Sequence, residues 1–470
     1  MIKATMIYGV ASMLPSLLGF VLLPLYSRHL TTSEFGVVAA MGVLSSVIAA
    51  FSTLSLDRAA TRFYFDSTDL VTKKKALGTF FLGSMGFALF TFFILILSKP
   101  LLGMAFPEVA FYPYYFLTIV TVTAGVCGNF VLSYFRVAEK PRSFLAMIGL
   151  TVLLQLGLIY FYVVVRNEGA LGQVTALLIS TLVLLPVYLV IAYRQFIFVF
   201  DWDLIKRGVT FSWPLIPTLL VAWVLNWSDS IFIANYCSMN DVGIYSMGYK
   251  ISMVILMVSG AFSTAFYPVF FRKANEKDQV AARQSIYSII HVASRGFIVL
   301  GFLLALFAED VVRLLLDEKY HDSYLVIRII LMSHILSAIM GISSNLYYQQ
   351  TKRSKLQLAV VSGSAVINLI LNYLLVPRFG MYGAAYATVI SMVVLTIMHY
   401  QFSKQCYFIE IFWGKLLVWI GLAVLIVLTA QYTIEGSPYS LPLKLVFVLL
   451  LSGGLLKYKH ILRSIQELRN

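Results

Sequence analysis

The sequence predicts an all-α polytopic membrane protein of about fourteen transmembrane helices: two pseudo-symmetric six-helix lobes plus a C-terminal helix pair. Three observations predict it. Of 470 residues, 60% are apolar and only 12% charged, where a soluble domain carries about 25% charge, and mean hydropathy is +0.87. So little polar surface cannot cover a water-facing globule, a problem that a bilayer removes. The formal charge of +14 sits in short Lys/Arg clusters between long apolar runs, a mark of membrane topology rather than of nucleic-acid binding. Finally, patterns recur at about half the chain length.

A spanning helix needs about 20 mostly apolar residues. The chain supplies such runs at 5–27, 35–56, 77–98, 112–134, 143–165, 170–192, 209–236, 242–271, 285–307, 324–349, 356–377, 380–402, 411–432 and 440–457. The first is longer than a signal h-region and no small-residue cleavage site follows it, so it reads as a retained span. The seventh and eighth exceed what a bilayer requires and predict tilt or protruding ends.

The basic residues orient the chain. One set of segments holds Lys3, Arg58, Arg62, Lys73 to Lys75, Arg136, Lys140, Arg142, Arg194, Lys206, Arg207, the cluster from Arg272 to Arg283, Lys352 to Lys355, Lys404, Lys415 and the C-terminal tail. That set carries 25 Lys and Arg, the opposite set 8, and Lys250 and Arg295 fall inside spans. The bias places both termini in the cytoplasm, and the expected location is the cell inner membrane. The longest outward loop, 308–323, is short and acidic and leaves no room for a catalytic domain. Phosphate-loop, HExxH and GxSxG motifs do not occur, so the chain reads as a transporter and not an enzyme, with no cofactor. Cys127, Cys237 and Cys406 lie far apart, with spacing for neither a disulfide framework nor a metal site.

Two patterns repeat. Ser33-Glu34-Phe35-Gly36, leading to Ser45 and Val47-Ile48, recurs as Asn240-Asp241-Val242-Gly243, leading to Ser252 and Val254-Ile255, at an offset of 207. Each copy puts a capping residue and a carboxylate at the start of a helix. Gly169-x-x-Gly172-x-x-x-Ala176-x-x-Ile179-Ser180 recurs as Gly380-x-x-Gly383-x-x-x-Ala387-x-x-Ile390-Ser391, at an offset of 211. Small residues at this spacing let helices approach closely in lipid, and such internal repeats are a common plan of secondary transporters. The expected organisation is an N-terminal lobe 1–194, a cytoplasmic basic linker 195–208, a C-terminal lobe 209–403, and 404–470 with helices thirteen and fourteen and a cytoplasmic tail.

Pro24-Leu25-Tyr26-Ser27-Arg28-His29-Leu30 with Glu34-Phe35-Gly36 resembles the first hairpin of the polysaccharide flippases. Asp229-Ser230-Ile231-Phe232-Ile233 with Asp241-Val242-Gly243-Ile244-Tyr245 adds to the resemblance. So does Asn368-Leu369-x-Leu371-Asn372 with Pro377-x-Phe379-Gly380-x-x-Gly383-Ala384-Ala385. The whole chain is similar, in matching order, to the O-antigen (Wzx-type) translocases of the multidrug/oligosaccharidyl-lipid/polysaccharide exporter superfamily. The resemblance implies a V-shaped pair of lobes around a cavity that opens alternately to each side. It implies as cargo an undecaprenyl-pyrophosphate-linked oligosaccharide, moved from the cytoplasmic to the periplasmic leaflet. Membrane lipids and other polysaccharide-assembly membrane proteins are the expected partners, and nucleic acid is not.

Ionisable groups at membrane depth are costly and mark sites by default. Lys250 and Asp229 lie at matching depths, and read either as a structural ion pair or as a ligand for the pyrophosphate with its counter-charge. Arg295 lies near mid-bilayer, with Ser288 and His291 on the same face; a guanidinium binds phosphate oxygens bidentately and stays charged. The bland alternative is an arginine capping the carbonyls of a broken helix. Arg28, Asp57 and Arg58 sit at span ends, where snorkelling to headgroups competes with cargo binding. Asn226, beside Asp229, and the pair Asn368 and Asn372 suit either sugar hydroxyls or interhelical hydrogen bonds. A peptidoglycan-precursor flippase and a cation-coupled multidrug exporter of the same superfamily stay open. A membrane polysaccharide polymerase or glycosyltransferase would need a large outward loop that is absent.

Overall fold

The computed structural model describes residues 2–66, 68–213, 216–407 and 409, with 414, 421 and 444. Eleven helices among them are long and apolar enough to cross a membrane: Ile7–His29, Thr32–Ser52, Leu70–Leu97, Phe111–Val137, Pro141–Val165, Gly169–Gln195, Ile216–Tyr236, Met239–Ala274, Gln279–Leu306, Ser323–Gln350 and Lys355–Ser403. The last is 49 residues long and reverses at Gly380, whose φ of 59° and ψ of −143° interrupt it. It therefore supplies spans eleven and twelve, and the first twelve expected crossings are all present. The expected crossings 411–432 and 440–457 lie, apart from 414, 421 and 444, outside the described residues. The chain is a multi-pass helical membrane protein, and contacts divide it into two compact units, Met1–Ser246 and Met247–Asn470.

Two boundaries differ from expectation by seven residues. The third span begins at Leu70 rather than 77, because the Asp69 carboxylate caps it, accepting from the Thr72 N–H at 2.8 Å. That cap carries the helix out into the polar zone, with Lys73, Lys74 and Lys75 on its first two turns. The seventh span begins at Ile216, not 209, because 209–212 close a separate amphipathic helix, Trp202–Ser212.

In the first unit, Phe196 anchors the segment that follows the sixth span. Its ring meets Phe81 at 5.7 Å, Phe130 at 5.8 Å and Tyr134 at 5.3 Å. The next residues are stitched to the third span: the Ile197 N–H donates to the Lys74 carbonyl at 3.0 Å, and the Thr79 hydroxyl to that of Val199 at 2.6 Å. Gly208 then brings the Trp202–Ser212 helix so close to the Phe80 ring that a Cβ would overlap it. Among the described residues of the second unit, Ser323–Gln350 is the most deeply buried span. Phe262 stacks on Phe266, which meets Phe270 edge-on along the eighth span, and Phe270 reaches Tyr347 at 6.3 Å.

The internal repeat is visible in backbone conformation. Gly169 and Gly380 both hold φ at +59°, a left-handed value that glycine adopts without strain. Glu139 and Lys352, 213 residues apart, are both left-handed as well. The Lys140 N–H bonds the Phe135 carbonyl and that of Arg353 the Tyr348 carbonyl, at 2.8 and 2.9 Å, the same helix-terminating bond each time. Just before these turns, the Tyr134 hydroxyl donates to Gln195 at 2.7 Å and the Tyr347 hydroxyl to the Ile409 carbonyl at 3.2 Å. Each half thus ties the same helix end to the segment that leaves its sixth span.

Candidate functional site

The end of the first unit that gathers basic segments also holds an open cavity. The second span ends in a turn with Leu54 and Ser55 at φ of 44° and 54°, which costs non-glycine residues about 1–3 kcal/mol. The turn is held by Ser212 of the following amphipathic helix, whose hydroxyl donates to the Ser55 carbonyl at 3.1 Å. It launches the short helix Leu56–Tyr64 and so aims Asp57 and Arg58 into an open cavity of about 480 Å³.

Arg136, in the last turn of the fourth span, lines the same cavity. It donates to the Ser133 hydroxyl at 3.1 Å and lies 5.6 Å from the centre of the Phe144 ring. Ser133 and Asn129 stand on the same helix face, one and two turns deeper. Opposite them run Ser46, Ala49, Ala50 and Thr53 of the second span. Trp223 of the seventh span fixes Ser46, donating its indole N–H to that hydroxyl at 3.0 Å. Two guanidiniums, one carboxylate and several hydroxyls therefore converge on one open space.

The other expected site residues lie elsewhere. Arg295 occupies the middle of Gln279–Leu306, and its Nη2 is 2.8 Å from His291 Nε2. Arginine only donates, so Nε2 accepts and the imidazole proton sits on Nδ1. Tyr287 stacks on His291 at 5.4 Å, making a three-residue ladder down one helix face. Ser288 stays outside the ladder and donates to the Gln284 carbonyl of its own helix at 3.0 Å. Asp229 is buried, 3% exposed, and accepts from the Tyr245 hydroxyl at 2.5 Å. Lys250 lies five residues beyond Tyr245 on the same helix, half-buried, next to Tyr249, which meets the buried His334 edge-on at 5.2 Å.

Asn226 is exposed, and its amide is bonded to the Ala222 carbonyl of its own helix at 2.6 Å. Arg28 is exposed in the last turn of Leu23–His29, where a cation suits the helix dipole. Asn368 and Asn372 are fully buried, and the Asn372 amide donates to the Asn368 carbonyl and side-chain oxygens at 3.1 and 3.2 Å. Of the expected residues, the structure brings Arg58 to the cavity, together with Asp57, and joins Arg295 to His291. Arg136, Asn129 and Tyr287 are the additions. Their signal was the four-residue spacing of Asn129 to Ser133 and of Tyr287 to His291, which aligns polar groups along one face.

The family model described as "Polysaccharide biosynthesis protein" matches residues 1–274, and the one described as MatE matches 214–374. The probable low-salt glycan biosynthesis flippase Agl15 of Haloferax volcanii is 23% identical over 180 residues, 38% of each chain. An uncharacterized membrane protein of Methanocaldococcus jannaschii is 20% identical over 303 residues, 62% of this chain and 58% of that one. The chain therefore matches 38% and 58% of the length of these relatives. Among solved structures, lipid II flippase MurJ in its inward closed conformation superposes with a TM-score of 0.75 at 11% identity, covering 96% of this chain and 98% of that one. An inward-facing multidrug resistance MATE family transporter of the MOP superfamily gives 0.59 at 16% identity, covering 81% and 92%. At these identities the likeness to solved structures is one of fold.

Proposed function

The chain belongs to the polysaccharide biosynthesis protein family, and from that premise we propose that it is a flippase for a lipid-linked oligosaccharide. The cargo is a glycan repeat unit on undecaprenyl pyrophosphate, moved from the cytoplasmic to the periplasmic leaflet of the inner membrane for O-antigen or other surface polysaccharide. Both termini lie in the cytoplasm, and the two six-helix lobes, 1–194 and 209–403, expose the cargo to each side in turn.

The observation that carries this reading is the cavity lined by Arg58, Arg136 and Asp57 at the basic end of the first unit. An anion stripped of water in hydrocarbon faces a penalty of about tens of kcal/mol. A flippase for a pyrophosphate lipid therefore needs fixed cations on the route, and guanidiniums match phosphate oxygens in geometry as well as charge. Arg58 and Arg136 receive the headgroup at the cytoplasmic mouth. In the second unit Arg295, beside His291, and Lys250 are further candidate cations for the cargo. The Agl15 match, a probable glycan biosynthesis flippase, supports a glycan cargo.

A second reading is a flippase for the peptidoglycan precursor, since the lipid II flippase shares this fold with a TM-score of 0.75. Complementation separates the two. Expression in a strain lacking its O-antigen flippase is expected to restore surface glycan, while a strain depleted of its lipid II flippase stays unviable. Rescue of only the second strain would reverse the assignment, and rescue of neither would refute both.

A further inference from the structure

Beside the charged cavity the first unit holds a second chamber, of about 280 Å³. Pro15, Asn129, Leu132 and Ile148 wall both spaces, yet their chemistry differs. Asp57, Arg58 and Arg136 line the larger, whereas the described lining of the smaller contains no charged side chain. Its polar groups are Asn129, Thr151, Gln155, Thr181 and Tyr188.

These groups are placed to bond a neutral guest. Thr151 and Thr181 donate to carbonyls of their own helices, Met147 at 2.8 Å and Leu177 at 2.9 Å, which leaves lone pairs on each hydroxyl. The Thr151 and Tyr188 hydroxyls lie 3.3 Å apart. Thr151 and Gln155 stand one turn apart, about 15 and 21 Å along the fifth span from its start at Pro141. A carboxamide at that depth is expensive against lipid, and both Asn129 and Gln155 face the chamber instead. Space is left for a guest at Gly125, where a Cβ would meet nothing within 4 Å, whereas the Tyr188 ring fills the place of one at Gly128.

We propose that this chamber is the glycan subsite: the sugars beyond the one that bears the pyrophosphate enter it while Arg58 and Arg136 hold the phosphates at the mouth. A sugar is neutral and dense in hydroxyls, so uncharged carboxamides and hydroxyls on an apolar wall recognise it where a charged lining would favour an ion. The chamber is thus a specificity device of the proposed flippase, and it rests on that reading.

The test keeps the two apart. Protein reconstituted in liposomes receives undecaprenyl-pyrophosphate lipids bearing either one sugar or a tetrasaccharide, and initial translocation rates are compared. Wild type is expected to move both. Gly125→Leu, which grows into open space, and Gln155→Leu, which removes an amide without adding bulk, are each expected to lower the tetrasaccharide-to-monosaccharide rate ratio about tenfold. Arg58→Ala is expected to slow both lipids and leave the ratio alone. An unchanged ratio in Gln155→Leu, with wild type active, overturns the subsite and leaves the flippase reading standing. A wild type that moves neither lipid overturns the flippase reading, and the subsite with it.

Discussion

Gly36 and Gly243 lie backbone to backbone. A Cβ on Gly36 would overlap the carbonyl of Met239, and one on Gly243 the carbonyl of Thr32. Each glycine thus meets the residue four positions before the other, as a local two-fold axis between the two copies of the first repeat demands. The contact closes the starts of the second and eighth spans, where a cap occupies each first turn. Thr31 and Glu34 form a capping box, and the Ser238 hydroxyl accepts from the Asp241 N–H at 3.2 Å.

A methyl group has no room there. Gly36→Ala or Gly243→Ala is expected to lose about 1–3 kcal/mol by overpacking. Gly42→Ala, where a Cβ meets nothing within 4 Å, serves as the control. Thermal midpoints in detergent decide the point; equal midpoints for Gly36→Ala and Gly42→Ala would show that the contact carries no strain.

The same contact offers a lock. The Thr32 hydroxyl donates to the Asn240 side-chain oxygen, so Thr32→Cys with Asn240→Cys, in a background free of Cys127, Cys237 and Cys406, is expected to form a disulfide on oxidation. If the outer ends of these helices must part during each cycle, oxidation stops glycan export and reductant restores it. Export that continues with the disulfide fully formed would show that these ends stay together.

Tyr245 holds Asp229. Tyr245→Phe removes a donor from a buried carboxylate and is expected to cost about 1–3 kcal/mol, read as a fall in thermal midpoint. Adding Asp229→Asn should recover part of that loss, since the remaining amide is neutral. Simple additivity of the two losses would mean that the 2.5 Å bond carries little energy.

Arg295→Ala is expected to reduce glycan export by about ten- to a hundredfold, the worth of one charge-assisted hydrogen bond, at normal membrane abundance. Arg295→Lys keeps the charge but loses the fork and should retain intermediate activity. Full export by Arg295→Ala would leave the Arg295–His291 contact a purely structural one.

Reporter fusions at 308–323 should mark periplasm, and fusions at 352–355 cytoplasm. Residues expected on one side of the membrane meet one another in the structure. Lys444 and Asp310, both assigned outward, are 2.5 Å apart, while Arg283 and Tyr407, assigned inward, are 4.9 Å apart. A reversed reporter pattern would overturn the orientation.

The spans were legible because hydropathy is a local property, set by about 20 consecutive residues. The repeat was legible because glycines that must adopt φ of +59°, Gly169 and Gly380, leave a mark at fixed spacing. The linker was not. Its basic residues read as a loop, whereas Phe196 is buried among Phe81, Phe130 and Tyr134, partners more than 60 residues away in sequence that no local pattern announces. The cavity lies between these cases. Asn129, Ser133 and Arg136 form a polar stripe on one face of a span, and Thr151 and Gln155 another. A search for formal charges alone passes over such stripes, because an isolated Asn or Gln in an apolar run looks like an interhelical hydrogen bond.

Translocation by the purified protein tests the central claim most directly. Liposomes carrying the protein and a fluorescent undecaprenyl-pyrophosphate oligosaccharide confined at the start to the outer leaflet are followed with a membrane-impermeant quencher. Wild type is expected to protect a growing fraction of the lipid, and the double variant Arg58→Ala, Arg136→Ala to protect it at least about tenfold more slowly. Protection no faster than in protein-free liposomes would contradict the account.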